Sequence, residues 1–297
     1  MRDKLKGAVS VLLSAFLFYL ATFFVKLGAP EKTEDSILYL AARFWIGYVF
    51  MHLWFPVIKK SKISAMSVVN VKWLWYRAFW NFVAVTFFYL SVMFGSLTGA
   101  NILNMTYPLF VAFLSIYLLG ERPDFATWVG VLLSVLGAIL VLLSAKSGLS
   151  ASELINPAHA GSLFGILSGL TAAMAIVALR IIRLTDSTEA ALFYNFRLGF
   201  WFTLPPVVYY LFVTDLNHRQ SLLYPFLSGV TGILGQVFLT YGFKYVTAVF
   251  GSILSSARLI FAVLIGWIFF QSEINLYSIS GALFIFLANL ALVYKKK

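Results

Sequence analysis

Long apolar runs alternate with short polar stretches along the whole chain of 297 residues. Each run is long enough to cross the ~30 Å hydrocarbon core of a bilayer as a helix that rises about 1.5 Å per residue. The pattern therefore predicts an all-α membrane protein with ten transmembrane helices. The ten runs cover residues 7–25, 37–58, 73–94, 97–120, 125–145, 161–182, 190–213, 222–243, 246–270 and 276–294.

A polar, proline-containing interval at residues 146–160 leaves five apolar runs on each side of it. This arrangement predicts a first five-helix repeat over residues 1–145, a linker, and a second five-helix repeat over residues 161–297. The first apolar run follows three basic residues, as a signal peptide does, but it is long enough to span the membrane. We therefore interpret it as a retained helix.

Polar and small landmarks recur in the same order in both halves. At an offset of 152 residues, Tyr89 corresponds to Tyr241, Gly99 to Gly251 and Glu121 to Glu273; at an offset of 154, Gly7 corresponds to Gly161 and Arg43 to Arg197. The stretches 89–121 and 229–273 each combine a short turn, small residues and a long apolar helix that ends at a glutamate. Small residues let helix backbones approach closely in lipid. We therefore expect the working site to lie between the halves, with close approach at Gly229, Gly232, Gly235, Ser252, Ser255 and Ser256.

The distribution of basic residues predicts the orientation. If the N-terminus is cytoplasmic, fourteen Lys and Arg residues lie in cytoplasmic segments and four, Lys26, Lys32, Lys146 and Arg219, lie in outer segments. Basic residues concentrate in cytoplasmic loops. Both termini are therefore predicted to be cytoplasmic, in a cell inner membrane. Because each half has five helices, the second half must insert upside down, as two inverted five-helix repeats.

Composition supports a membrane protein and excludes several functions. Hydrophobic residues make up 61% and charged residues 11%, against about 25% charged in a soluble domain. A net charge of +11 is typical of nucleic-acid-binding proteins, but here the basic residues lie at the ends of apolar runs, where they can contact anionic lipid. We therefore expect no nucleic-acid partner. The chain has no cysteine, and no phosphate-binding loop or hydrolase signature is found. We expect no enzyme activity, cofactor or metal; the expected partners are a small-molecule substrate and the lipid bilayer, with the chain a monomer or homodimer.

All eleven acidic residues lie in termini, loops or helix ends. Transporters that bind cations or relay protons commonly keep a carboxylate within the membrane. The distribution argues against a Na⁺ site and against an acidic cation exporter. It favours exchange or facilitated diffusion over obligatory coupling to Na⁺.

Apart from the basic residues already counted in the cytoplasmic and outer segments, four arginines lie within predicted helices: Arg43, Arg77, Arg197 and Arg258. An arginine at the bilayer centre costs about 2.5–3.5 kcal/mol even on lenient insertion scales, so it should face protein or a wet cavity. Arg258 is the deepest, and on a continuous helix Gly251 and Ser255 share its face. Arg258 either binds an anion in a cavity or makes structural hydrogen bonds to carbonyls and hydroxyls. Arg77 either snorkels to the interface or faces the site, and Arg43 and Arg197 either hold helices together or contact substrate.

Polar residues form stripes on several predicted helices, and such stripes normally face the bundle. They act either as bonds between helices or as a polar cavity wall. The candidate substrate-binding residues are Arg258, Ser255, Gln236, Arg77, Trp80, Asn81, Asn101, Asn104, Tyr194 and Arg197.

Several stretches carry a family resemblance: RFWIGYVF, NMTYPLFVAFLSIYLLGERP followed by WVGVLLSVLGAILVL, GILGQVFLTYGFKYVTAVFGSIL, FAVLIGWIFFQSEI and GALFIFLANLALV. In their order and spacing the chain resembles the drug/metabolite transporter superfamily, EamA type, over nearly its whole length. The resemblance implies ten helices, an inverted repeat, a central cavity and alternating access. The family usually has a proline near the middle of the fourth and ninth helices. Pro108 occupies the first position, whereas Arg258-Leu259-Ile260 departs from the pattern at the second.

The leading hypothesis is a carrier for a small organic metabolite that bears a carboxylate or phosphate. Within the resembled superfamily, an amino acid or an amino-acid derivative such as S-adenosylmethionine is the expected substrate. The alternatives are a phosphorylated-metabolite antiporter, and a lipid-flippase accessory or structural membrane protein.

Overall fold

The computed structural model describes residues 2–28, 36–54, 66–94, 97–144, 160–213, 222–270 and 276–293. Within these residues the chain forms helices connected by turns and short loops. The helices are α1 (Arg2–Gly28), α2 (Ser36–Leu53), α3 (Val71–Phe94), α4 (Leu97–Asn104), α5 (Tyr107–Leu119), α6 (Phe125–Ser144), α7 (Ala160–Thr185), α8 (Thr188–Val213), α9 (Leu223–Gly242), α10 (Ala248–Ser255), α11 (Arg258–Phe270) and α12 (Leu276–Val293).

These helices confirm the ten predicted apolar segments, with ends that differ by a few residues. Five stretches of the described chain are long and apolar enough to cross a membrane: Arg2–Gly28, Val71–Phe94, Ala160–Thr185, Leu223–Gly242 and Ala248–Phe269. Large apolar side chains such as Phe125 and Phe212 are more than four-fifths exposed, as expected for a surface that faces lipid. The predicted linker at 146–160 lies outside the described residues except for its last position.

Two of the predicted helices are each broken into two. The run 97–120 forms α4 and α5, with a turn at Met105 and Thr106. The prediction of one continuous helix was wrong here because Pro108 has no backbone N–H to donate to the Asn104 carbonyl. The turn instead uses tighter bonds, from Thr106 N to Leu103 O at 3.3 Å and from Leu109 N to Thr106 O at 3.1 Å.

The run 246–270 breaks at the equivalent place without a proline. Here Ser256 N donates to Ile253 O at 3.0 Å and Ala257 N to Leu254 O at 3.1 Å, as in a 3₁₀ turn. The Ser256 hydroxyl also donates to Ile253 O, which competes with the regular helical bond. The expectation that Gly251, Ser255 and Arg258 share one face of a continuous helix was therefore wrong.

The main helix pairs each join one helix from the first half to one from the second. The packing of α1 against α9 is repeated by the packing of α7 against α3, the equivalent helices of the other half. In the pairs α2–α8 and α6–α12, each helix packs against its own equivalent in the other half. A two-fold relation between two five-helix halves produces this pattern. The packing thus agrees with two inverted repeats.

Glycines on α9 let neighbouring helices approach closely. A Cβ added at Gly229 would lie 3.1 Å from the Ala42 backbone, and one at Gly235 would lie 2.9 Å from the Phe18 ring. At Gly232 the nearest atom, in the Arg43 side chain, would lie 3.6 Å away, an ordinary contact. The predicted close approach of helix backbones is confirmed at Gly229, whereas at Gly235 the close neighbour is a side-chain ring and at Gly232 the prediction was wrong.

A pair of substitutions on α9 tests this packing. Gly242→Ala is expected to lower the free energy of unfolding by about 1–3 kcal/mol, the usual effect of overpacking. The reason is that the added Cβ would lie 2.7 Å from Val11 Cγ2 and 3.0 Å from the Gly7 carbonyl oxygen. The control Gly232→Ala has room and gains helix propensity of up to about 1 kcal/mol. Thermal unfolding of the purified protein in detergent would contradict the expectation if the two variants were equally stable.

Candidate substrate site

A cavity of about 130 Å³ lies between the two halves. Residues at both helix breaks line it: Asn104, Met105 and Tyr107 at the first, and Ser255 and Arg258 at the second. A broken helix places side chains and backbone groups at the middle of the bundle, a position at which many membrane transporters bind their ligands. The polar lining residues are Thr22, Arg43, Asn81, Tyr89, Asn104, Tyr107, Ser228, Gln236, Ser255 and Arg258.

Arg258 at the start of α11 reaches across to the first half. Its Nη2 donates to Asn104 Oδ1 at 2.8 Å, and the Asn104 amide in turn donates to Ser168 Oγ at 2.7 Å. Ser168 Oγ donates to the Ala84 carbonyl, so the chain of hydrogen bonds ends on a backbone oxygen. The partners orient the guanidinium but carry no charge. Arg258 therefore keeps a positive charge that these contacts do not neutralise.

Arg43 on α2 has the corresponding arrangement with the second half. Its Nη2 donates to Gln236 Oε1 at 2.9 Å, and its guanidinium lies 5.0 Å from the centroid of the Phe18 ring. Our candidate set contains Gln236 but omits Arg43. The sequence did point to Arg43 as a candidate, because it is the one Lys, Arg, Asp or Glu within the helix Ser36–Leu53.

Arg77 is buried in the protein, with 2% of its surface exposed. Its Nη1 donates to Asn195 Oδ1 at 3.1 Å, which links α3 to α8. The expectation that Arg77 snorkels to the interface was therefore wrong. Arg77 does not line the cavity, but Asn81, one turn further along α3, does.

Four other candidates lie away from the cavity. Trp80 packs edge-on against Tyr76 and Phe79, and Tyr194 packs against Trp75 at 5.0 Å. Asn101 is half-buried on α4 and Arg197 is exposed on α8; neither lines the cavity. The Arg197 guanidinium lies 6.0 Å from the Trp75 ring and 5.9 Å from the Phe193 ring. The structure thus brings together Arg258, Ser255, Gln236, Asn81 and Asn104 from the predicted set.

Besides Arg43, the candidate set omits three polar lining residues whose positions carried some signal. Tyr89 is a landmark of the repeat, and Tyr107 precedes the helix-breaking Pro108. Ser228 precedes Gln236 by two steps of four residues, which places both on one face of α9. Tyr107 Oη donates to the Ser252 carbonyl at 3.3 Å, so it connects the two breaks.

Among the residues that the structure describes, no Asp or Glu lines this cavity. The acidic residues of the described helices and loops lie at helix ends, as predicted; Glu121, Asp186 and Glu189 are examples. Within the same described segments, no group of three or more His, Asp or Glu side chains is placed to hold a metal ion. The cavity is a positively charged chamber whose polar partners are neutral amides and hydroxyls.

A separate ion pair joins the two halves at one end of the bundle. Glu121, in the loop after α5, accepts a hydrogen bond from Ala248 N at 3.1 Å and lies 3.9 Å from Arg180 Nε. Arg180 Nη1 also donates to the carbonyls of Phe243 and Lys244, at 2.9 and 3.0 Å. Burial raises the pKa of the Glu121 carboxyl above its ordinary value, while the bond from Ala248 and the Arg180 charge oppose that rise. We call this set of contacts the Glu121–Arg180 latch.

Comparison with known proteins gives the same picture over the whole length. The pattern of the EamA-like transporter family matches residues 5–143 and 159–294. The chain is 27% identical over 298 residues to "Pseudopaline exporter CntI" of Pseudomonas aeruginosa, covering 99% of each protein. It is 23% identical over 296 residues to an uncharacterized transporter of Helicobacter pylori, covering 98% of this chain and 95% of that one.

A solved crystal structure shares the fold, with a TM-score of 0.73 and 15% sequence identity. The alignment covers 96% of this chain and 95% of the other. At that identity the likeness supports the fold alone. The two family matches fall on the two five-helix halves that the helix packing also defines. The chain is therefore a multi-pass membrane protein that belongs to the EamA-like transporter family.

Proposed function

We propose that this chain carries a small organic metabolite bearing a carboxylate or phosphate across the membrane by alternating access. The observation that carries the proposal is that Arg43 and Arg258 line one cavity, with no Asp or Glu among the described residues that line it. A buried guanidinium without a counter-ion is costly in a membrane protein. A bound anion would remove that cost in the occupied state.

The choice of arginine supports an oxygen anion as the ligand. The planar fork of a guanidinium matches the two oxygens of a carboxylate or phosphate, whereas a lysine ammonium offers only a point charge. In both arginines one Nη donates to an amide, which leaves other N–H groups of the fork for a ligand. This geometry favours binding through two parallel hydrogen bonds.

Within this class, an amino acid or one of its derivatives is one candidate, and a phosphorylated metabolite exchanged by an antiporter is the other. Both place an anionic group against Arg258 or Arg43. S-adenosylmethionine fits less well, because its sulfonium adds a positive charge to a cavity whose described lining residues include no carboxylate. The relative named as a pseudopaline exporter supports outward transport as the first direction to test.

Counterflow in proteoliposomes tests the proposal. Vesicles loaded with unlabelled glutamate, succinate or glucose 6-phosphate should take up the labelled compound in a transient, saturable manner. Uptake should not require a Na⁺ gradient, because none of the described residues that line the cavity is a carboxylate. Transport of neutral or cationic compounds but of no anion would contradict the proposal. A lipid-flippase accessory or structural protein would show neither saturation nor counterflow.

The proposed orientation places both termini in the cytoplasm, with the protein in the inner membrane. Reporter fusions after Lys62, Arg183 and Lys297 are expected to report the cytoplasm. Fusions near Asp35, Ser152 and Asn217 are expected to report the opposite side. A cytoplasmic signal at Ser152 would contradict the inverted orientation of the second half, because that position lies between the fifth and sixth predicted helices.

A further inference from the structure

The two cavity arginines form a crossed arrangement between the halves. Arg43 belongs to the first half and donates to Gln236 of the second, whereas Arg258 belongs to the second half and donates to Asn104 of the first. All four side chains line the same cavity. The arginines are thus held by different amides on different helices. This arrangement provides two positions for an anionic group instead of one.

Unsatisfied polar atoms around this arrangement are donors. Arg43 Nε, Arg258 Nε and Asn81 Nδ2 are buried and have no hydrogen-bond partner within the described residues. All three side chains line the cavity. Buried donors without an acceptor are unfavourable, and a ligand oxygen would satisfy each of them. The ligand is therefore expected to supply several acceptor oxygens.

The cavity offers little to a cationic group. The amide oxygens of Asn104 and Gln236 already accept bonds from the arginines. The Ser228 and Ser255 hydroxyls donate to the carbonyls of Ala21 and Gly251, and the described part of the chain places no carboxylate in the cavity lining. An ammonium group would find neutral partners only. A ligand with one anionic group would leave the second guanidinium without a counter-ion.

We propose, on the basis of the function proposed above, that the ligand has two separate carboxylates, one held by Arg43 and the other by Arg258. A ligand of this kind neutralises both arginines and also connects the two halves, because each arginine belongs to a different half. Arg43 is as important for recognition as Arg258. The substrate class is a small organic dicarboxylate.

Calorimetric titration of the purified full chain in detergent tests this proposal with pairs of equal chain length. The probes are succinate against butyrate, glutarate against pentanoate, and adipate against hexanoate, at constant ionic strength. At least one dicarboxylate is expected to bind about tenfold more tightly than its partner, since it engages two charged forks instead of one. Glutarate is expected to bind more tightly than glutamate, which adds an ammonium group.

Variants identify the two positions. Arg43→Gln and Arg258→Gln are each expected to reduce dicarboxylate affinity at least tenfold, yet to change monocarboxylate affinity less than about threefold, because one fork remains. The double variant should lose affinity for both dicarboxylates and monocarboxylates. Arg197→Gln removes an exposed arginine and serves as the control for net charge. If a glutamine variant folds poorly, Arg43→Lys and Arg258→Lys keep the charge and should retain a weaker preference for dicarboxylates.

The outcomes separate the two proposals. Monocarboxylate binding that depends on Arg258, with no advantage for any dicarboxylate, would overturn the dicarboxylate proposal and leave the anion carrier intact. Inorganic phosphate binding as tightly as the best dicarboxylate would also overturn it, because one compact group would then satisfy both arginines. If no carboxylate or phosphate binds or shows counterflow, both proposals are wrong.

Discussion

Replacing Arg258 by leucine is expected to weaken binding of a dicarboxylate ligand about tenfold to a hundredfold. A hydrogen bond to a charged group contributes roughly 1.5–3 kcal/mol, and 1.4 kcal/mol corresponds to a factor of ten in affinity. Arg258→Lys should have a smaller effect, because it keeps the charge but loses the planar fork. The measurement is the ligand dissociation constant, by calorimetry or from the concentration dependence of counterflow.

The alternative role of Arg258 predicts a different pattern. If the Arg258–Asn104 bond serves only to hold α4 against α11, leucine should reduce the yield of folded protein while the surviving protein keeps its affinity. Insertion itself should not suffer, because leucine removes a charge that is unfavourable in the membrane. Near-normal dicarboxylate affinity in well-folded Arg258→Leu protein would therefore rule out an anion site at this arginine.

The helices of this protein were predictable because their signal is length. Ten apolar runs and a polar interval after the fifth determine the number of helices and their division into halves. The sequence also contains the information needed to predict the break at Pro108, because a missing N–H is a property of the residue itself. The break at Ser256 could not, since it depends on serine hydroxyls competing for backbone carbonyls, which serines in regular helices also do.

The members of the site were only partly predictable. A polar stripe identifies one face of a helix, but it does not show whether that face meets the cavity or another helix. Asn81 and Trp80 are adjacent in sequence, yet Asn81 lines the cavity and Trp80 packs against aromatic rings. The repeat relation has the same limit. Arg43 and Arg197 correspond in sequence, but one is in the cavity and the other is exposed, because the relation applies to the backbone and not to each side chain.

Disrupting the Glu121–Arg180 latch is expected to open its end of the bundle. Arg180 bonds two carbonyls of the turn between α9 and α10 and lies beside Glu121 of the other half. Separation of the halves at this end, as alternating access requires, must break the contacts of Glu121 with Arg180 and Ala248, because Arg180 belongs to the same half as Phe243 and Lys244. Arg180→Gln removes the ion pair between the halves and should therefore favour conformations in which the cavity is open on this side, by up to about fivefold given up to about 1 kcal/mol for a partly exposed ion pair.

The chain has no cysteine, so a single introduced thiol can report this opening. Ala175→Cys places it in the cavity lining, and the rate of its reaction with a membrane-impermeant maleimide is measured in vesicles of each orientation. The rate from the latch side is expected to rise with Arg180→Gln and not with Lys244→Gln, which removes an exposed charge at the same end. Equal rates in all three proteins would show that the latch does not control access.

The pKa of Glu121 gives the same contact a pH signature. Burial raises this pKa above the ordinary value of 4.5. The protonated Glu121 carboxyl therefore stabilises the folded protein fully below pH 4.5, and this stabilisation is lost as the pH rises through the raised pKa.

The positive charge of Arg180 lowers the pKa of Glu121 and so opposes the effect of burial. Its replacement by glutamine should therefore move the Glu121 pKa still higher and make the loss of thermal stability with increasing pH larger than in the wild type. Glu121→Gln should remove this part of the pH dependence in either background. If the melting temperature of Arg180→Gln followed the same pH profile as that of the wild type, the two residues would not interact as the geometry indicates.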